Sequence, residues 1–151
     1  MKRLRVYLDT SVIGGCFDQE FTEASNMLFD SFNSLLYIPI ISDVTFDELE
    51  KAPDKVKDKV RSLNNIEMVN ATEQMRTLAK SYLQDNIISN RYSDDALHIA
   101  IATVVNVDVL VSWNFKHIVN LDKIRKFNAV NLKEGYKPLE IRTPREVIND
   151  V

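Results

Sequence analysis

The feature that most restricts this chain is an alternation: short runs rich in Val, Ile and Leu, each followed by a longer stretch whose apolar residues recur every three or four positions. Leu4, Val6 and Leu8 alternate with Arg5 and Tyr7 in a first strand that runs into Asp9-Thr10-Ser11. Thr22 to Leu35 has helical spacing through Ala24, Met27, Leu28, Phe32 and Leu35. Leu36 to Ile41 reads as a second strand, in which Pro39 predicts an edge position or a bulge. Ser42 offers an N-cap to a helix carrying Val44, Glu48 and Leu49, which Pro53 ends. Val56, Val60 and Leu63 mark a charged helix, Ile66 to Val69 a third strand, and Met75, Leu78, Ala79 and Tyr82 a helix starting at Thr72. Ser93 is the expected cap of the most apolar helix, Asp94 to Val105, before a buried strand at Val109 to Ser112. Ile118, Leu121, Ile124 and Phe127 continue helically, and Leu139 to Arg142 with Thr143-Pro144 predicts a last strand and a closing helix. Strands that alternate with helices in this order predict a three-layer α/β/α sandwich around a central, mostly parallel sheet.

With 151 residues and no Gly/Ser-rich linker, one domain over 1–151 is expected, 129–151 forming a C-terminal strand-helix extension. Hydrophobic residues at 45% and charged residues at 27% exclude the disordered and disulfide-scaffold classes. A formal charge of −3 excludes a broad basic surface that grips duplex DNA by counterion release. Cys16 is the sole cysteine, so neither an intrachain disulfide nor a multi-cysteine metal site can form, which suits a reducing compartment. The apolar runs Leu35 to Ile41 and Ala100 to Val105 fall far short of the roughly 20 residues that span a bilayer, and Met1-Lys2-Arg3 leads directly into a strand. No membrane association and a cytoplasmic location are the expectations.

In a parallel sheet, ligands bind beyond the carboxyl ends of the strands. Four residues qualify by position: Asp9 leaves the first strand, Glu48 lies about two turns into the helix after the second, Asp95 opens the apolar helix, and Asn114 leaves the Val109 strand. Taken singly, Asp9 and Asp95 can be helix caps, Glu48 a surface residue and Asn114 a turn residue. Taken together, three carboxylates in one pocket repel by about 4 kcal/mol per pair at ~4 Å and an effective dielectric of ~20. A hard divalent cation, Mg²⁺ or Mn²⁺, offsets such repulsion and accepts oxygen ligands with waters.

The segments Tyr7-Leu8-Asp9-Thr10-Ser11-Val12-Ile13, Ile41-Ser42-Asp43-Val44-Thr45-Phe46-Asp47-Glu48-Leu49, Asp95-Ala96-Leu97-His98-Ile99-Ala100 and Leu110-Val111-Ser112-Trp113-Asn114 occur in this order. In order, spacing and setting they resemble the PIN domains, particularly the VapC-type toxins of toxin–antitoxin systems, over about residues 4 to 128. The resemblance implies a Mg²⁺- or Mn²⁺-dependent endoribonuclease with Asp9, Glu48, Asp95 and Asn114 as catalytic and metal-binding residues. It also implies an RNA substrate, a small antitoxin partner and a homodimer. Asn114 stands where the family commonly has Asp: an amide oxygen still ligates a cation but adds no negative charge, so a second metal binds less well. The acidic residue many members carry just beyond is replaced by Phe115-Lys116-His117, and Lys116 becomes a candidate for a phosphate contact.

Among neighbouring residues, Asp94 reads as first-turn charge on the helix dipole, and Asp47 and Glu50 as solvated surface. His98, three residues after Asp95, is either a donor to the site or a hydrogen-bonded core histidine, and Ser11 either bonds a ligand or caps the next segment. His117 is placed within possible reach of a substrate. Arg91, Lys116 and Lys123 are the candidates for an RNA backbone, whereas Lys55, Lys57, Lys59 and Arg61 alternate with Asp54 and Asp58 as a solvated face. Phe17, Phe21, Met27 and Phe29 supply apolar surface for a dimer or belong to the core. Two other functions stay open: a PIN-like module of weakened chemistry whose acidic pocket binds an Arg- or Lys-bearing partner, and an aspartyl phosphohydrolase using Asp9, although the second Asp of that pattern is missing.

Overall fold

A computed structural model describes residues 3–148; Met1-Lys2 and the end of the expected C-terminal extension, 149–151, lie outside the described residues. Strands β1 (Leu4–Leu8), β2 (Tyr37–Ser42), β3 (Glu67–Val69), β4 (Val109–Val111) and β5 (Ile141–Arg142) form one sheet in the order β3-β2-β1-β4-β5. All pairings are parallel, with Val6 opposite both Pro39 and Val109. Between them run α1 (Thr10–Gly15), α2 (Thr22–Asn33), α3 (Asp43–Leu49), α4 (Asp54–Arg61), α5 (Glu73–Gln84), α6 (Ser93–Val105), α7 (Leu121–Lys133) and α8 (Pro144–Ile148).

The two-residue period of a strand sends alternate side chains to opposite faces, and both faces are covered. Tyr7, Ile40, Leu110 and Ile141 face a core completed by Met75, Leu78 and Tyr82 of α5, Ile99 and Ala100 of α6, and Phe127 and Val130 of α7. Their neighbours Val6, Leu8, Ile41, Val109 and Val111 face a second core with Val12 and Ile13 of α1, Leu28, Phe29 and Phe32 of α2, Val56 and Val60 of α4, and Val147 of α8. The expected three-layer α/β/α sandwich is the observed architecture. Helix α3 contributes Val44 to one core and Leu49 to the other, so it lies across the end of the sheet rather than against one face.

Some local expectations need correction. Pro39 lies in β2, an interior strand, because the ladder with β3 begins one residue later at Ile40; at Pro39 only the β1 side is paired, and the missing N–H costs no bond. Ser93 does not cap α6: a 3₁₀ turn at Asn90–Tyr92 feeds directly into the helix, Ser93 already has helical dihedrals, and no side chain caps this end. Ser42, by contrast, caps α3 as expected by accepting the Thr45 N–H at 3.4 Å, and Thr72 caps α5 through Met75 N–H at 3.3 Å. Phe29 is fully buried beside Phe32, while Phe17 and Met27 are exposed. Among the described residues no helix is long and apolar enough to cross a membrane.

Candidate active site

Because every strand is parallel, their carboxyl ends share one edge, and the chain reverses direction across the sheet between β1 and its neighbour β4. A crevice forms at such a switch point. Asp9 follows β1 there, and Ser112 and Asn114 follow β4. Helix α6 precedes β4, so its N-terminus, with Asp94 and Asp95 in the first turn, arrives at the same edge; α3 starts at the end of β2 and brings Glu48.

Asp9 has the backbone of an N-cap, yet its side chain makes no capping bond to α1. Its Oδ2 instead accepts Ser11 Oγ at 2.6 Å and Ser112 Oγ at 2.8 Å, although the carboxylate is nearly buried. Ser11 Oγ also accepts Trp113 N–H at 2.9 Å, and Ser112 Oγ accepts Asn114 N–H at 2.9 Å, so the two serines tie the exits of β1 and β4 together. Trp113 anchors this segment by stacking on Phe21, with centroids 4.3 Å apart, and donating its indole N–H to Ser25 Oγ at 2.8 Å.

Asn114 turns its amide nitrogen to Asp95 Oδ2, 3.3 Å away, while its Oδ1 accepts His117 N–H at 2.9 Å. Since a backbone N–H can only donate, this bond fixes the amide orientation and presents a donor to Asp95. His117 packs its ring against Tyr92 at the entry to α6, with centroids 3.9 Å apart, so it couples the Asn114 segment to the Asp95 helix. Burial, with Lys116 and Lys123 nearby, lowers the His117 pKa. Burial and the neighbouring charges of Asp9 and Glu48 outweigh His98 and Asn114 and push the Asp95 carboxyl up to about 6. Burial is the larger cause, and the repulsion expected of carboxylates gathered in one pocket adds to it.

Glu48 Oε1 accepts Thr10 Oγ1 at 2.9 Å and pairs with His98 Nε2 at 2.5 Å. Burial raises its carboxyl, but the hydrogen bond and charge of His98, with Thr10, prevail and leave it below the ordinary value. His98 is wholly buried; its Nε2 also lies 3.8 Å from Asp9 Oδ1, and its Nδ1 is 2.6 Å from Tyr7 Oη. Burial favours the neutral ring, but Tyr7, Glu48 and Asp9 together outweigh it and hold His98 well above the ordinary histidine value.

All four expected residues therefore meet at one edge: Asp9 and Glu48 through His98, Asp95 and Asn114 directly. Sequence alone left Ser112, Thr10 and Tyr7 without a role. The signal for Tyr7 was present, since a tyrosine in a strand buried on both faces needs a partner for its hydroxyl. Of the proposed backbone-gripping residues, Lys123 Nζ is bound to the Ile87 carbonyl, Arg91 lies over the Tyr92 ring at 5.9 Å, and Lys116 is exposed. The donor set around the crevice is oxygen-rich. Among the described residues, Asp9 Oδ1 and Asp95 Oδ1 accept no hydrogen bond, and no three His, Cys, Asp or Glu side chains already converge at metal-holding distance.

No family model matches the sequence, and no curated protein matches it. Solved structures do match. VapBC2 from Rickettsia felis, bound to a promoter DNA fragment, is similar with a TM-score of 0.57 and 15% identity over 93% of this chain and 98% of that one. VapC20 of Mycobacterium tuberculosis, a sarcin–ricin loop cleaving toxin, gives 0.58 and 11% over 74% and 92%. A toxin–antitoxin complex from Klebsiella pneumoniae gives 0.57 and 15% over 78% and 93%. At such identities the likeness is one of fold: the parallel five-stranded sheet with its flanking helices has the α/β fold of these VapC structures.

Proposed function

We propose that the protein is a metal-dependent endoribonuclease, the toxin of a toxin–antitoxin pair. The observation that carries this reading is the gathering of Asp9, Glu48, Asp95 and Asn114, distant in sequence, at the switch-point edge of a VapC-like fold. The residues fit Mg²⁺ or Mn²⁺. Their donors are hard oxygens, of which Asp9 Oδ1, Asp95 Oδ1 and Glu48 Oε2 accept no hydrogen bond among the described residues, and Mg²⁺ usually takes one or two carboxylates and keeps several waters. Asp9 and Asp95 would hold the cation with Glu48 as a flanking donor, whereas the Asn114 amide oxygen expected as a ligand is taken by His117 N–H and its nitrogen faces Asp95. A cation bound there would supply Lewis-acid polarisation of the phosphodiester and offset the developing charge.

The chain's own groups do the rest. Asp9 is fixed by its two serines, and Asp95 is oriented by the Asn114 amide. Glu48, ionised at neutral pH, accepts a proton from the attacking water as its oxygen bonds to phosphorus and the bond to the leaving ribose oxygen breaks; solvent returns a proton to that oxygen. RNA as substrate, a small antitoxin and self-association into a homodimer follow from the resemblance to VapC toxins, and neighbours of this fold are solved as toxin–antitoxin assemblies.

The test is cleavage of a pool of cellular RNA by wild type and Asp9→Asn with Mg²⁺, Mn²⁺ or chelator. Cleavage that needs both the metal and Asp9 is the expected result; equal cleavage in chelator, or by both proteins, would sink the proposal. One observation favours a second reading, a binding module with weakened chemistry: Asn114 already places an N–H donor against Asp95. Absence of metal-dependent cleavage together with tight capture of an Arg- or Lys-bearing peptide would select it.

A further inference from the structure

We propose that His98 is a positioning residue, clamped by Tyr7 and Ser42, that holds Glu48 through Nε2 so that Glu48 presents its other oxygen, Oε2, to the crevice. The functional consequence rests on the nuclease reading; the hydrogen-bond arrangement does not.

Glu48 as a carboxylate only accepts, so the 2.5 Å contact requires the proton on His98 Nε2 whatever the charge of the ring. Nδ1 then meets Tyr7 Oη at 2.6 Å, and Tyr7 Oη meets Ser42 Oγ at 2.7 Å. Ser42 Oγ closes the path by accepting Thr45 N–H as the N-cap of α3. The path thus leaves α3 at its N-cap, crosses β1 at Tyr7 and α6 at His98, and returns to α3 at Glu48 in its last turn. Both ends of this short helix are tied to one rigid frame.

A core histidine needs only satisfied nitrogens, which backbone carbonyls supply. Here a wholly buried ring instead reaches a carboxylate whose side chain is 30% exposed, on a helix lying across the edge of the sheet. Thr10 Oγ1 donates to the same Oε1, so both donors act on one oxygen and leave Oε2 without a hydrogen bond among the described residues. A buried polar chain is costly unless complete, and this one is complete. A leucine at 98 would fill the space; it could not orient Glu48.

The test compares His98→Leu, which removes the donor, with His98→Gln, whose Nε2 can stand in for that of the ring. His98→Leu is expected to lower kcat for RNA cleavage by roughly tenfold to a hundredfold, the scale of a misplaced catalytic group, with KM little changed. His98→Gln should recover most of it, and His98→Leu should add nothing in a Glu48→Gln background. Tyr7→Phe, nearly isosteric, should lower kcat in the same direction and serves if His98→Leu does not fold. A further readout needs neither metal nor activity: the His98 Nε2–H proton, seen by ¹⁵N-edited NMR, should be protected in the wild type and lose protection in Glu48→Ala. Unchanged kcat in His98→Leu or Tyr7→Phe, an equal loss in the Glu48→Gln background, or a proton indifferent to Glu48→Ala would each overturn the inference. A wild type that cleaves no RNA overturns the nuclease reading instead, and the proton signal then decides the positioning of Glu48 by itself.

Discussion

At the scale of single residues, the crevice is governed by which carboxylates carry charge. Asp95 has a folded pKa of about 6 against an ordinary 3.8, so the folded chain binds a proton that the unfolded chain has released between those values. Its contribution to stability is full below about pH 4 and is lost as pH rises through about 6. Metal-free wild type should therefore gain stability relative to Asp95→Asn between pH 7 and pH 5, and Asp95→Asn should be at least as stable at pH 7. Urea unfolding of both proteins at the two pH values checks this, and parallel pH profiles would refute it. Asn114→Asp adds a carboxylate against Asp95 while keeping an oxygen for His117 N–H, so the turn survives. Metal-free stability at pH 7 should fall and Mn²⁺ affinity rise, as read by calorimetry; a variant unchanged in both would mean that this side chain does not act on the pocket.

Elements carry these residues into place through contacts that leave little slack. Gly15 ends α1 beneath the Trp113 anchor, and a Cβ there would stand 2.8 Å from Ser25 Oγ and from two atoms of the indole. Gly14, one residue earlier, has nothing within 4 Å of the same addition. Gly15→Ala should cost about 1–3 kcal/mol by overpacking. Gly14→Ala should be neutral or stabilising by up to about 1 kcal/mol, since alanine is the better helix former. Denaturation midpoints measure both, and equal effects would show that α1 does not seat Trp113. The serines at helix starts separate in the same way. Ser42→Ala removes a real cap and should cost about 0.5–2 kcal/mol, whereas Ser93→Ala, inside α6, should lie within ~0.5 kcal/mol of wild type. The same unfolding measurement distinguishes them.

For the whole molecule, the two cores share β1 and β4 as a common wall, so neither can melt without exposing the back of the other. Phe32→Ala truncates one core and Phe127→Ala the other, both at fully buried positions. Each should cost about 3–5 kcal/mol and still unfold in one transition. Trp113, the only tryptophan, reports from the Phe32 side. Its fluorescence should coincide with far-UV circular dichroism even in Phe127→Ala; separate transitions would mean that the faces are independent units.

Much was legible in the sequence because it depends on local period and local chemistry. Alternation located β1, three- and four-residue spacing located the major helices, and Ser42 and Thr72 marked helix starts whose partners lie three residues away. The strand–helix order limited the architecture to a parallel, doubly covered sheet, and that limit directed attention to Asp9, Glu48, Asp95 and Asn114. Tertiary structure alone decided what depends on long-range pairing. Pro39 is tolerated inside the sheet because of where β3 starts, and Phe29 is buried because of how α2 rotates onto the sheet. Asp9 gives its side chain to Ser112 instead of capping α1, and Ser42, Tyr7, His98 and Glu48 join across positions 35 to 91 residues apart. A hydrogen bond between such positions leaves no periodic trace in the sequence, because its partners are neighbours only after the sheet has brought three elements to one edge.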